Sequence, residues 1–224
     1  MRTLKELINL QEPGWDLVQE WMQDATNDYK VLPRELARAE EELVHAQVTT
    51  RSPMGAVIYE TGGILIDHGW LRILGSGSLE LDRGMMQWNR GKTFQNESER
   101  PAYLLVGDDV LGGIFAINGG GLGEDMGNIY YLPQDTLTWE SLEFGYSDFL
   151  YWALHGDLKG FYELFRWQNW QNDTQALDGN HVFAFYPFLW TKEGKEITKV
   201  ERKIVPIEEN YHVTMELQEN FTKQ

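Results

Sequence analysis

Residues 104–142 read LLVGDDVLGGIFAINGGGLGEDMGNIYYLPQDTLTWESL, and residues 144–170 continue FGYSDFLYWALHGDLKGFYELFRWQNW. Three short apolar runs, Leu104 to Val106, Ile114 to Ile117 and Ile129 to Leu132, are separated by glycine and acidic turns. That pattern predicts antiparallel strands in a meander. Aromatic residues then recur at helical spacing: Tyr146, Phe149, Tyr151 and Trp152, followed by Phe161, Tyr162, Phe165 and Trp170. The stretch predicts a small sheet followed by two helices that cover one of its faces.

Outward from this centre, Thr3-x-x-Glu6 is a capping-box signature with Leu4 and Ile8 on one helix face. Trp15, Val18, Trp21, Met22 and Ala25 mark an amphipathic helix ending near Asn27. Pro33 sits where a first-turn proline belongs, before a third helix carrying Leu36, Leu43 and Val44. Arg51 to Gly55 reads as a turn, Ala56 to Tyr59 and Ile64 to Ile66 as strands, and Trp70 to Leu74 as a further strand. Arg83 to Trp88 reads as a short helix, and Gly91 to Arg100 as the longest surface loop. Beyond the centre, Asn172 to Asn180 is a polar loop, His181 to Phe185 and Glu196 to Val205 are strand candidates, and Ile207, Tyr211 and Met215 favour a C-terminal helix. The expected fold is one α+β domain over 1–224, with a mixed or antiparallel sheet and flanking helices. Its first fifty residues form a helical lobe, and 51–224 hold the sheet with its covering helices.

The 224 residues can bury roughly 70% of their unfolded surface, so no staple is required. The chain has no cysteine, which excludes disulfides, thiolate catalysis and Cys-ligated metals. MRTLKELINLQEPGW has no apolar run of signal-peptide length, and no window reaches the ~18 apolar residues of a membrane span. A cytoplasmic protein that keeps away from membranes is expected. Thirty-five acidic residues against nineteen basic ones give a formal charge of −16. Such a surface repels nucleic acid and favours a basic protein partner, besides conferring solubility.

Several motifs resemble chemistry and fail on spacing. Gly91-Lys92-Thr93 lacks the upstream glycine of a phosphate loop, because Met86 stands there. Asn118 to Gly123 follows a strand but lacks G-x-G-x-x-G spacing, and Glu124 and Asp125 would repel a pyrophosphate. Gly75 to Ser78 has its serines at the wrong place for a nucleophile elbow. No two of the five histidines are spaced as a helical metal site, and neither a metal nor a cofactor is expected. Asp67-His68 is an acid–histidine pair beside glycine turns, although neighbours on a strand point to opposite faces. Asp108-Asp109 and Glu124-Asp125 read as carboxylate pairs in neighbouring turns, where turn chemistry accounts for aspartate. Arg166, Trp167 and Trp170 form a rim patch of residue types favoured as interface anchors.

TGGILIDHGWLRILGSG (61–77), the 104–142 stretch, GYSDFLYWALHGDLKGFYELFRW (145–167) and FYPFLWTKEG (185–194) together resemble an uncharacterised bacterial family known as a domain of unknown function. The likeness covers most of the chain after residue 50 and implies no reaction, cofactor or catalytic residue. Gly113 to Leu132, Ser147 to Leu154 and Leu32-Pro33 are similar, more loosely, to the SUKH superfamily of Syd-like proteins. That likeness implies an α+β binding module, often an immunity protein against a secreted toxin. The expected function is therefore non-enzymatic binding of a basic protein, plausibly as an immunity-like protein. The contact candidates are Asp67, His68, Asp108, Asp109, Asn118, Glu124, Asp125, Arg166, Trp167 and Trp170, with no catalytic residue. The alternative is a small hydrolase or sugar-binding protein using the Asp67, His68, Asp108 and Asp109 region.

Overall fold

The computed structural model describes residues 1–96 and 99–222. Among them, seven strands form one antiparallel sheet in chain order: β1 (Tyr29–Leu32), β2 (Gly63–Ile66), β3 (Leu71–Leu74), β4 (Tyr103–Asp109), β5 (Ile114–Asn118), β6 (Asn128–Leu132) and β7 (Glu140–Gly145). A second sheet pairs β8 (His181–Tyr186) with β9 (Glu201–Pro206). Four helices precede or interrupt the early strands: α1 (Leu4–Leu7), α2 (Gly14–Gln23), α3 (Leu36–Ala46) and α4 (Pro53–Glu60). Then come α5 (Met85–Asn89), α6 (Tyr146–His155), α7 (Leu158–Phe161), α8 (Trp170–Gln175) and α9 (Ile207–Thr222). The α+β class holds, with the main sheet antiparallel throughout.

Because side chains alternate across a strand, β4 sends Asp108 to one face of the sheet and Asp109 to the other. On the Asp109 face the rings interlock. Phe115 stacks on Tyr131 at 4.4 Å and meets Phe149 of α6 at 5.0 Å, while Tyr131 meets Phe161 of α7 at 5.5 Å. On the other face, Trp88 of α5 meets Tyr211 of α9 at 5.9 Å. Asn89 covers the β4 bulge between Leu105 and Gly107. Its amide donates to the Leu105 carbonyl and its oxygen accepts from the Leu105 N–H, both at 2.8 Å, so the interrupted ladder leaves neither group bare.

Four local expectations are corrected. The 53–60 segment is helical, although Val57, Ile58 and Tyr59 favour strands. Pro53 stands in its first turn, and the Ser52 hydroxyl accepts from the Gly55 N–H at 3.1 Å. Residues 29–32 form β1, so Pro33 follows a strand and α3 begins at Leu36. The first fifty residues therefore give a strand to the main sheet, and Leu7, Val18, Leu32 and Leu43 join the common core. The second aromatic helix is broken into α7, a 3₁₀ turn at Glu163–Phe165 and α8, and α8 extends into the expected 172–180 loop. Residues 97 and 98 of the expected 91–100 loop lie outside the described residues.

Candidate functional site

The β2–β3 hairpin closes through Asp67, His68 and Gly69, which all have positive φ, at 52°, 60° and 85°. Asp67 and His68 thus belong to a turn rather than a strand. A left-handed backbone is easy for glycine and unfavourable for other residues, so two successive side chains here are held by their surroundings. The Asp67 carboxylate pairs with the Arg166 guanidinium, and both side chains are largely buried. That guanidinium lies 4.1 Å from the Trp170 ring centre and 5.3 Å from that of Trp70. Trp70 is buried and packs on Tyr162, Trp167 and Trp170 at 5.4, 5.6 and 5.1 Å.

His68 is gripped from α8. Its Nε2 lies 3.1 Å from the Gln171 amide nitrogen, and its Nδ1 lies 3.0 Å from that of Gln175. An imidazole with one proton offers one donor and one acceptor, so one glutamine amide must donate to the ring while the other turns its oxygen to accept. Gln171 and Gln175 are four residues apart, on one helix face. The Asp28 carboxylate stands 3.7 Å from Nδ1. Asp67 N–H donates to the Asp28 carbonyl at 2.7 Å, which ties the turn to the start of β1.

Beside His68 opens a cleft of about 340 Å³. Leu65 and Gly69 form part of its wall from the hairpin, and residues 174–179 close it from α8 and the connection to β8. Asp28, Glu80 and Asp178 bring three exposed carboxylates to its rim. Lys30 bonds Glu80 at 2.5 Å across it, an exposed pair that breaks at little cost. Burial draws the Asp178 carboxyl upward, but donation from the His181 ring and the Asn180 N–H outweighs it and leaves the group below its ordinary value. Arg72 forms the floor. Its guanidinium is committed to Asp108, to the His181 carbonyl at 2.6 Å and to the Asp109 carbonyl at 2.9 Å.

The structure gathers Asp67, His68, Arg166, Trp167 and Trp170 into one neighbourhood, buries Asp108 and Asp109 beneath the same end of the sheet, and places Asn118, Glu124 and Asp125 at the other end. Trp167 is buried rather than at a rim. Its indole donates to Asp173 at 2.6 Å, and its ring packs on Phe183 at 5.2 Å. Asp108 and Asp109 end a strand in the interior, not an exposed turn. Asp108 pairs with Arg72 at 2.6 Å and with Arg83 at 2.7 Å. Asp109 accepts from the N–H groups of Leu111 and Gly113 at 2.9 Å each, and from the hydroxyls of Tyr131 at 2.6 Å and Tyr162 at 3.2 Å. Burial raises its carboxyl above the ordinary range, while the Tyr131 hydroxyl and the backbone donors act against that shift.

Successive turns of an antiparallel meander alternate between the two ends of the sheet, so the β5–β6 turn lies at the opposite end from His68. Buried Asn118 organises that turn: its oxygen accepts from Gly120 and Leu122 N–H at 2.7 and 3.0 Å, and its amide donates to the Gly123 carbonyl at 2.9 Å. Asp125 is turned into the same loop. Hydrogen bonds from Ser141 and Tyr130 hold its carboxyl down to about 2. Glu124 is exposed there. Among the described residues, no group of three or more His, Asp or Glu side chains is placed to hold a metal ion. No described helix is long and apolar enough to cross a membrane.

The residues that sequence reasoning missed are Asp28, Lys30, Glu80, Gln171, Gln175 and Asp178. The Gln171/Gln175 spacing was a readable signal, but nothing local connects that pair with a histidine a hundred residues earlier.

A family model described as "Protein of unknown function DUF2625" matches residues 4–210. The chain belongs to this family. An "Uncharacterized protein" of Haemophilus influenzae is 47% identical over 221 residues, covering 99% of this chain and 97% of its own length. The "Putative uncharacterized protein YbfG" of Escherichia coli K12 is 46% identical over 223 residues, covering 100% of each chain. No solved structure matches. These comparisons bear out the first resemblance, to a domain-of-unknown-function family, and give the SUKH likeness no support.

Proposed function

We propose that the protein is a non-enzymatic binding module that receives a cationic side chain of a basic protein partner in the cleft beside His68. The observation that carries this reading is the ring of exposed carboxylates, Asp28, Glu80 and Asp178, around a turn whose strained backbone is held by Arg166 and by α8. An incoming lysine or arginine can replace Lys30 on Glu80 and gain a second carboxylate across the cleft. The chain charge of −16 would draw such a partner from a distance. The SUKH resemblance would make that partner a toxin; the geometry asks only for a basic face. The hydrolase or sugar-binding alternative draws no support from the geometry, because the Asp108 and Asp109 carboxylates are buried and engaged by Arg72 and Arg83 and by Tyr131 and Tyr162.

The test is affinity capture from the native host, followed by surface plasmon resonance on the captured protein. Asp28→Lys combined with Asp178→Lys should weaken binding at least tenfold, roughly 1.4 kcal/mol or more, whereas Glu124→Lys at the far end of the sheet should change it little. A captured partner that is acidic at its contact face, or one indifferent to the double variant, would end this reading.

A further inference from the structure

We infer that the cationic side chain received by the cleft beside His68 is an arginine rather than a lysine, with the Thr174 hydroxyl as its inner contact. The inference rests on the reading above and narrows it to one side chain. Thr174 lines the cleft from α8, is only 2% exposed, and has no hydrogen-bond partner for its hydroxyl among the described residues. A buried hydroxyl left unpaired costs free energy, so an N–H that reaches it gains more than one that stays at the wet rim. The hairpin side leaves that approach open: Gly69 has no side chain, and an added Cβ there would find the Thr174 methyl carbon no nearer than 3.9 Å.

Lysine and arginine differ in what they gain here. The cleft already holds an ammonium, because Lys30 bonds Glu80. A lysine that displaced it would exchange one ammonium for another on the same carboxylate, and its donors all sit on a single atom. A guanidinium spreads its donors over two edges. One edge can face a rim carboxylate, Asp28 or Asp178, while the other points inward to Thr174. It is also more weakly hydrated than an ammonium and loses less on entering. The volume of about 340 Å³, at about 30 Å³ for each water-sized group, has room for roughly eleven non-hydrogen atoms, enough for a whole arginine side chain. Leu65 and Leu177 offer apolar wall to its methylenes. Arg72 in the floor does not oppose it, since Asp108 neutralises that guanidinium at 2.6 Å.

The probes are N-acetyl-argininamide, N-acetyl-lysinamide and N-acetyl-citrullinamide, titrated into ¹⁵N-labelled protein and followed by NMR at the Gly69, Thr174 and Gly179 backbone amides. The arginine probe should shift these signals saturably. The lysine probe should bind roughly tenfold or more weakly, and the citrulline probe, which keeps the shape without the charge, should leave them unmoved. Thr174→Val, nearly isosteric, should weaken the arginine probe roughly tenfold and leave the lysine probe unchanged. It should not lower the thermal melt, because it breaks no hydrogen bond within the chain; should that variant fail to fold, the ratio of the two cations on the unaltered protein decides alone. Equal affinity for arginine and lysine, or full arginine affinity in Thr174→Val, would overturn the inference. The broader cationic reading survives that outcome if Asp28→Lys with Asp178→Lys abolishes binding of both probes. Signals that stay still with either cation up to the solubility limit would also overturn the inference, and the broader reading would then stand or fall on its own capture assay.

Discussion

Asp108→Asn removes one negative charge from a place that water barely reaches. Asp108 and Arg72 are register partners on β4 and β3, so the ion pair runs straight across two neighbouring strands. Arg83, from the loop before α5, reaches the other carboxylate oxygen at 2.7 Å. The guanidiniums are further fixed by carbonyls, Arg72 on His181 and Arg83 on Gly179, the latter at 2.7 Å. One carboxylate thus joins two central strands to the approach of α5 and to the start of β8. Asparagine keeps the shape, but it presents N–H groups to a guanidinium and leaves two buried cations without their counter-charge.

Removing one partner from a buried ion pair costs about 3–5 kcal/mol, because the remaining charge stays desolvated. At roughly 2–4 °C per kcal/mol for a chain of this size, the melting temperature should fall by roughly 6–20 °C. Urea unfolding followed by tryptophan fluorescence, with calorimetry alongside, measures both quantities. The triple change Arg72→Met, Arg83→Met and Asp108→Leu should recover much of the loss, since an apolar cluster of similar volume carries no stranded charge. A loss below about 1 kcal/mol for Asp108→Asn would refute the argument, since the guanidiniums would then have to find other compensation. An unchanged melt combined with loss of a measurable activity would point instead to Asp108 as a chemical group.

Gly120 has φ of 110°, and an added Cβ would find Met126 Sδ no nearer than 3.8 Å, so space is not its constraint. Gly120→Val should still cost about 1–3 kcal/mol through backbone strain, read as a lower urea midpoint without any ligand present. Burial lifts the Glu42 carboxyl from 4.5 to about 7, against donation from Met86 and Gln87 N–H at 2.6 and 3.0 Å. Between those values the folded chain keeps a proton that the unfolded chain has released, so this group's contribution falls as pH rises, by about 3 kcal/mol at most, and Glu42→Gln should flatten that part of the stability–pH curve in urea melts.

The strands from Ile64 to Leu132 were legible because their apolar runs stop at glycine or acidic turns. β1 was not, since Tyr29-Lys30-Val31-Leu32 is a short run broken by a lysine and bounded by Pro33 rather than by a glycine turn. α4 reads as a strand for a physical reason: Val57, Ile58 and Tyr59 favour strands, yet the Ser52 cap and Pro53 start a helix, and Ala56, Val57 and Ile58 are all buried. A helix buried on every side shows no amphipathic stripe. The site was half legible. Asp67-His68 and Arg166-x-x-x-Trp170 stood out as residue types, and the structure joins them through an ion pair and ring contacts. Asp108 misled because two aspartates after an apolar run look like a turn, and nothing near them in sequence announces Arg72 and Arg83.

Among the described residues, the buried charged side chains are Arg72 and Arg83 against Glu42, Asp108 and Asp109, so the interior holds nearly balanced formal charge. The acidity behind the formal charge of −16 therefore lies mainly on the surface that a partner meets. That surface is not uniform. Asp125 spends its carboxylate on Ser141, Tyr130 and Asn128 within its own loop, while Asp28, Glu80 and Asp178 converge on one concavity. Long-range attraction follows the total charge, but docking follows carboxylates that share a cavity and can be desolvated together. By that criterion the His68 end of the sheet, and not the glycine turn at the other end, is where a basic side chain gains most by entering.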